Sequence, residues 1–140
     1  MTDEFWMKRA LLLARKALKL NKIPIASVLV YKNSEIGYSF NYAEFFIYPY
    51  HHSEIISFKQ GSFYISNFLL NDVIMYVILE SCSLCLSFAF LFRIKKVIFG
   101  AYSNQKHKIS KHIKNAFFIK GGILKDESSF LLKKFFSKNR

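Results

Sequence analysis

Two cysteines stand three positions apart in the run Glu80-Ser81-Cys82-Ser83-Leu84-Cys85. A helix opening there puts positions three apart on one face, so both sulfurs can reach one ion. A helix N-terminus favours thiolates, and so does a bound cation. Disulfide reductases also use Cys-x-x-Cys, so the pair alone leaves metal and redox chemistry both open. Upstream lies His52-Ser53-Glu54, again at a loop-to-helix junction. His52 adds a third ligand and leaves one tetrahedral position for water, the mark of a catalytic rather than a structural zinc site. Zinc lowers the pKa of such a water to near neutrality. Glu54, two residues from the ligand, can take the water's proton and later deliver it to a substrate.

Each of these residues has a plainer reading when taken singly. His52 fits a core or surface histidine, Glu54 a solvated helix residue, and Cys82 and Cys85 small buried hydrophobes. Their joint occurrence, in this order and at matching junctions, points to a zinc-dependent hydrolase. His51 adjoins the ligand, but only His52 has a glutamate two residues on. His107 and His112 read as solvent-exposed.

These groups need elements to hold them. Asp3–Leu20 has the spacing of an amphipathic helix, with Trp6, Ala10, Leu13, Ala17 and Leu20 on one face; Pro24 prevents its continuation. Ala26–Tyr31 reads as a strand, Lys32-Asn33-Ser34 as a turn and Glu35–Phe40 as the returning strand of a hairpin. Asn41–Tyr50 reads as a loop, and His52–Gln60 as a short helix with Gly61 as its stop. Val73–Leu79 is β-branched and apolar, a buried strand. A helix over Cys82–Phe92 and a strand over Lys95–Gly100 follow. Tyr102–Asn115 is polar and basic, loop with some helix. Ala116–Lys120 adds a strand, and Asp126–Lys138 closes the chain as a helix. Strand–helix alternation after the hairpin predicts parallel strands in a layered α/β domain.

Composition narrows the class. The 140 residues suit one domain, and 52% hydrophobic content supplies a sizeable core. The net charge of +12 suits a polyanionic partner, although lysine-rich coding and solubility explain it equally well. Val73–Phe92 is about long enough to span a bilayer, but Glu80 sits mid-span and is costly in lipid, so no membrane role is expected. The N-terminus lacks the basic and apolar regions of a signal peptide.

His52-Ser53-Glu54 with Cys82-Ser83-Leu84-Cys85 resembles the signature of the zinc nucleobase deaminases, His-x-Glu followed by Pro-Cys-x-x-Cys. Within that cytidine/deoxycytidylate deaminase superfamily the chain most resembles the bacterial tRNA-specific adenosine deaminases. The likeness runs through Trp6-Met7, Pro24, Asn41, Pro49, Phe99-Gly100-Ala101, Gly122-Ile123-Leu124, Asp126-Glu127 and Leu131–Phe136. It implies a three-layer α-β-α fold, a mixed five-stranded sheet with an N-terminal hairpin and flanking helices. It implies one zinc-dependent deaminase domain over residues 1–140, with one Zn²⁺ per subunit held by His52, Cys82 and Cys85. The implied activity is hydrolytic deamination of adenosine to inosine at the wobble position of an arginine tRNA with anticodon ACG. Glu54 would shuttle protons, Asn41 would contact the flipped nucleotide, and the Ser53 backbone would help hold the base. Phe135 and Phe136 would lie near the anticodon-loop bases, where stacking is a common device, with Lys138 and Arg140 on phosphates. A homodimer working in the cytoplasm on the tRNA anticodon stem-loop is implied too. The same zinc site also serves cytosine, guanine and free-nucleoside deaminases, and an RNA-binding relic is a further alternative.

The chain departs from the pattern in places. Ser81 replaces the proline before the first cysteine, and Ala26-Ser27 replaces a Gly-Ala pair, adding volume at the pocket wall. The acidic residue after Phe-Gly-Ala is absent, and the loop that follows Ala101 is shorter.

Overall fold

The computed structural model describes residues 1–40, 53–66, 69–103 and 111–138. The first helix, α1 (Asp3–Lys19), starts where Thr2 caps it: the Thr2 hydroxyl accepts the Phe5 N–H at 3.1 Å. Asp3 and Glu4 occupy its first turn and Lys16 and Lys19 its last, each complementing the helix dipole. Its end is sharper than a proline block. Asn21 adopts a left-handed φ of 63°, and the Lys22 N–H reaches back to the Ala17 carbonyl while Asn21 donates to Leu18. That is a Schellman stop, complete before Pro24 is reached.

The hairpin follows. Strands β1 (Ala26–Tyr31) and β2 (Ser34–Phe40) pair antiparallel, with Tyr31 opposite Ser34. Ser34 therefore belongs to the strand rather than to the turn. Lys32 (φ 48°) and Asn33 (φ 64°) form a two-residue turn, both left-handed as the tight hairpin twist requires.

Next come α2 (Ser53–Ile65), β3 (Val73–Leu79), α3 (Ser83–Leu91), β4 (Lys96–Ala101), α4 (Lys111–Asn115), β5 (Phe118–Lys120) and α5 (Lys125–Lys138). The helix expected to stop at Gly61 runs on to Ile65. Gly61 is there for packing: a Cβ on it would lie 2.9 Å from Leu29 Cδ1 and 3.3 Å from Ile36 Cδ1. Absence of a side chain lets α2 lie close on the sheet. The apolar run Val73–Phe92 is divided by Glu80-Ser81-Cys82 into a strand and a helix. Among the described residues no helix is long and apolar enough to cross a membrane.

The sheet order is β2-β1-β3-β4-β5. β1 runs antiparallel to β3, while β3, β4 and β5 run parallel. Successive residues of β1 serve opposite faces. Val28 and Val30 join Trp6, Met7 and Leu11 of α1 and Leu131 of α5 in one core. Leu29 joins Phe58 of α2 and Leu86 and Ala89 of α3 in the other. The architecture is thus α-β-α, with a mixed five-stranded sheet between two helical layers. A polar tie crosses the first layer: the buried Tyr76 hydroxyl donates to Asp3 at 2.7 Å, and Lys120 pairs with the other Asp3 oxygen at 3.4 Å.

Candidate active site

The C-terminal ends of β3 and β4 and the start of β1 meet at one edge of the sheet, since Leu79 pairs with Ala101 and Ser27 with Val77. Beyond β3 the chain turns through Glu80-Ser81 into Cys82, which caps α3. Its backbone is extended (φ −71°, ψ 167°), and its sulfur accepts the Cys85 N–H at 3.4 Å. Serine in place of proline at position 81 still permits this turn, and Ser81 is buried at 3% exposure. Both cysteines are thiols rather than a disulfide.

Glu54 stands in the first turn of α2 and is 4% exposed, not a solvated helix residue. It reaches the cysteine turn. The fully buried Cys85 thiol is pushed far above the usual thiol range, first by its hydrogen bond with Cys82, then by burial, then by the charge of Glu54, which also hydrogen-bonds it. Cys82 and Glu54 thus both reach Cys85, and both oppose its ionisation. A divalent cation removes that conflict, and a sulfur-containing donor set suits zinc. The residues present therefore fit the ion. Among the described residues no set of three His, Cys, Asp or Glu is gathered as ligands. The expected third ligand, His52, lies outside the described residues, as do the expected nucleotide contact Asn41, the Asn41–Tyr50 loop, His107 and Arg140. Ser53 opens α2 directly after His52.

Of the substrate residues expected on the last helix, Phe136 lines a cavity with the strand ends Leu79 and Ala101. Phe135 and Phe136 of α5 meet edge to face, with centroids 5.4 Å apart, and Phe136 is 56% exposed. Phe136 and Lys133 line a cavity of about 610 Å³ with Tyr102, Ser103, Leu79 and Ile25; neither the cysteines nor Glu54 line it. Lys138 is exposed in the final turn of α5. His112 is exposed as expected.

Two features escaped the sequence reading. Glu80 looked like a polar interruption, yet its carboxylate accepts the Ser103 N–H at 3.0 Å and its own N–H donates to the Ala101 carbonyl at 2.9 Å. It thereby pins the segment after β4 to the cysteine turn. Ala26 and Ser27 are both fully buried, and the Ser27 hydroxyl is engaged by Ser57 of α2 at 2.9 Å.

Known proteins resemble this chain in sequence and in fold. The family model of MafB19-like deaminases matches residues 1–140. A tRNA-specific adenosine deaminase of Buchnera aphidicola subsp. Baizongia pistaciae is 32% identical, over 99% of this chain and 91% of its own. That of Rickettsia typhi is 34% identical, over 96% of this chain and 97% of its own. Among solved structures, one from a study of A-to-I editing by tRNA:A34 deaminases superposes with a TM-score of 0.80 at 25% identity, covering 90% of this chain and 97% of that one.

Proposed function

We propose that this chain, which belongs to the MafB19-like deaminase family and to the tRNA-specific adenosine deaminases, hydrolyses the wobble adenosine of an arginine tRNA (anticodon ACG) to inosine. The observation that carries this reading is the contact of buried Glu54 with Cys85, which is itself hydrogen-bonded to Cys82. His52, Cys82 and Cys85 would hold one Zn²⁺ per subunit, and residues 1–140 act as a single deaminase domain. When bound, the ion supplies activation of water at neutral pH.

The chain's own residues do the rest. Glu54 accepts a proton from the attacking water and delivers it to N1 of the adenine ring. A second transfer through the same carboxylate releases the C6 amino group as ammonia, so that water and adenosine give inosine and ammonia. Burial suits Glu54 to this work, because a dry carboxylate exchanges protons with the substrate rather than with solvent. The target base must leave its stack, since C6 is unreachable within one. Asn41 and the Ser53 backbone hold the flipped nucleotide. Phe135 and Phe136 stack on neighbouring loop bases, while Lys138 and Arg140 contact phosphates. The resemblance further supports a homodimer acting in the cytoplasm.

A comparison of substrates tests this reading. The zinc-loaded protein should deaminate an arginine-tRNA anticodon stem-loop at least about a hundredfold faster, in kcat/KM, than free adenosine, cytidine or guanine, because remote contacts are spent on orientation. Equal or better turnover of a free base or nucleoside would contradict it.

A further inference from the structure

Ser27 and Ser57 are both fully buried beneath the first turn of α2, where a hydroxyl must find a partner. Ser57 donates its proton to the backbone carbonyl of Glu54 at 2.7 Å. With that proton committed, Ser57 accepts the hydroxyl of Ser27 at 2.9 Å. The direction of the chain is fixed: Ser27 to Ser57 to the Glu54 carbonyl. It crosses from β1 to α2 at the site edge of the sheet, where Ser27 lies opposite Val77. Two other contacts seat the rest of α2. A Cβ on Gly37 of β2 would lie 2.7 Å from the Ser57 carbonyl, so helix and strand touch there. Gln60 accepts the Tyr38 N–H at 2.7 Å. Both set how closely the helix approaches β2. The serine relay ties its first turn to β1.

We propose that Ser57, backed by Ser27, is a positioning residue whose hydroxyl relay locks the first turn of α2 to β1 and so fixes where Glu54 presents its carboxylate to the cysteine turn. The inference rests on the reading of Glu54 as proton carrier. A displacement on the ångström scale at a reacting group costs up to about a hundredfold in rate, so a partial loosening of this turn is visible in kinetics.

The test uses Ser57→Ala, Ser27→Ala, the double variant and Ser57→Thr in the zinc-loaded full chain. Single-turnover inosine formation and RNA affinity are measured on the anticodon stem-loop, with hydrogen exchange of the α2 first-turn amides. Ser57→Ala should slow the chemical step about tenfold while RNA affinity stays within about twofold. Ser27→Ala should slow it less, and the double variant should be no slower than Ser57→Ala, because one chain is broken in each case. Ser57→Thr, which keeps the hydroxyl, should restore most of the rate. Exchange of the first-turn amides should quicken in both alanine variants. Losses that multiply in the double variant, or that appear in RNA affinity instead of rate, overturn the proposal. If the unmodified chain makes no inosine, the functional reading fails, and unchanged amide exchange in Ser27→Ala and Ser57→Ala would then overturn the relay independently.

Discussion

At the scale of single residues, burial decides what each group can do. Cys85 and Glu54 are ordinary by type and unusual by setting, because both are buried and face one another. Glu80 and Ser57 matter through what they hold rather than through chemistry of their own. Tyr76 illustrates how burial sets a pH response. Its phenol is raised above the usual range by burial first and then by its hydrogen bond to Asp3. The unfolded chain would release that proton near pH 10, about the ordinary tyrosine value, while the folded chain keeps it. Stability from this group is therefore full below about pH 10 and falls as the pH rises further. Replacing Tyr76 with Phe should cost about 1.5–3 kcal/mol at neutral pH, since the lost bond ends on a carboxylate. It should also flatten the decline above pH 10. Urea titrations at neutral and alkaline pH measure both effects, and an unchanged alkaline slope would contradict the assignment.

Among the elements, α2 and α3 deliver the site by their N-termini, and the sheet sets their separation. Gly61 governs how close α2 comes. Gly61→Val should destabilise the fold by about 1–3 kcal/mol through overpacking against Leu29 and Ile36. A shift of the urea midpoint measures it; a gain in stability would mean that the interface has room. This glycine also shows where sequence reasoning stops. Periodicity and β-branching located the strands and helices to within a few residues, because those signals are local. The α-β-α layering followed from their alternation and from the family likeness. Gly61 carried the mark of a helix stop, and only the side chains brought across from β1 and β2 show that it serves packing. The cysteine pair and Glu54 stand out in the sequence because their spacing is written along the chain, and the fold brings Glu54 against Cys85. The Ser27–Ser57 relay does not stand out, since its partners lie thirty positions apart and neither is remarkable as a residue type.

For the molecule as a whole, among the described residues Glu54 reaches Cys85 beyond the C-terminal end of β3, and Phe136 of α5 lines a cavity with the strand ends Leu79 and Ala101. A net charge of +12 then favours a phosphate-bearing substrate over a neutral one. Lys133, on the cavity wall with Phe136 and Tyr102, is well placed to meet that backbone. Lys133→Ala should weaken stem-loop binding and reduce the dependence of log affinity on log salt by about 0.7, the single-strand value for one phosphate contact. A parallel shift with unchanged slope would show that Lys133 acts otherwise. The central claim is that Glu54 moves protons at a zinc site built on Cys82, Cys85 and His52. The most direct measurement is zinc content together with single-turnover inosine formation on the arginine-tRNA stem-loop, for the unmodified chain and for Glu54→Ala. The account predicts about one zinc per chain in both proteins, with inosine from the unmodified chain alone. Inosine formed at an undiminished rate by Glu54→Ala would contradict it.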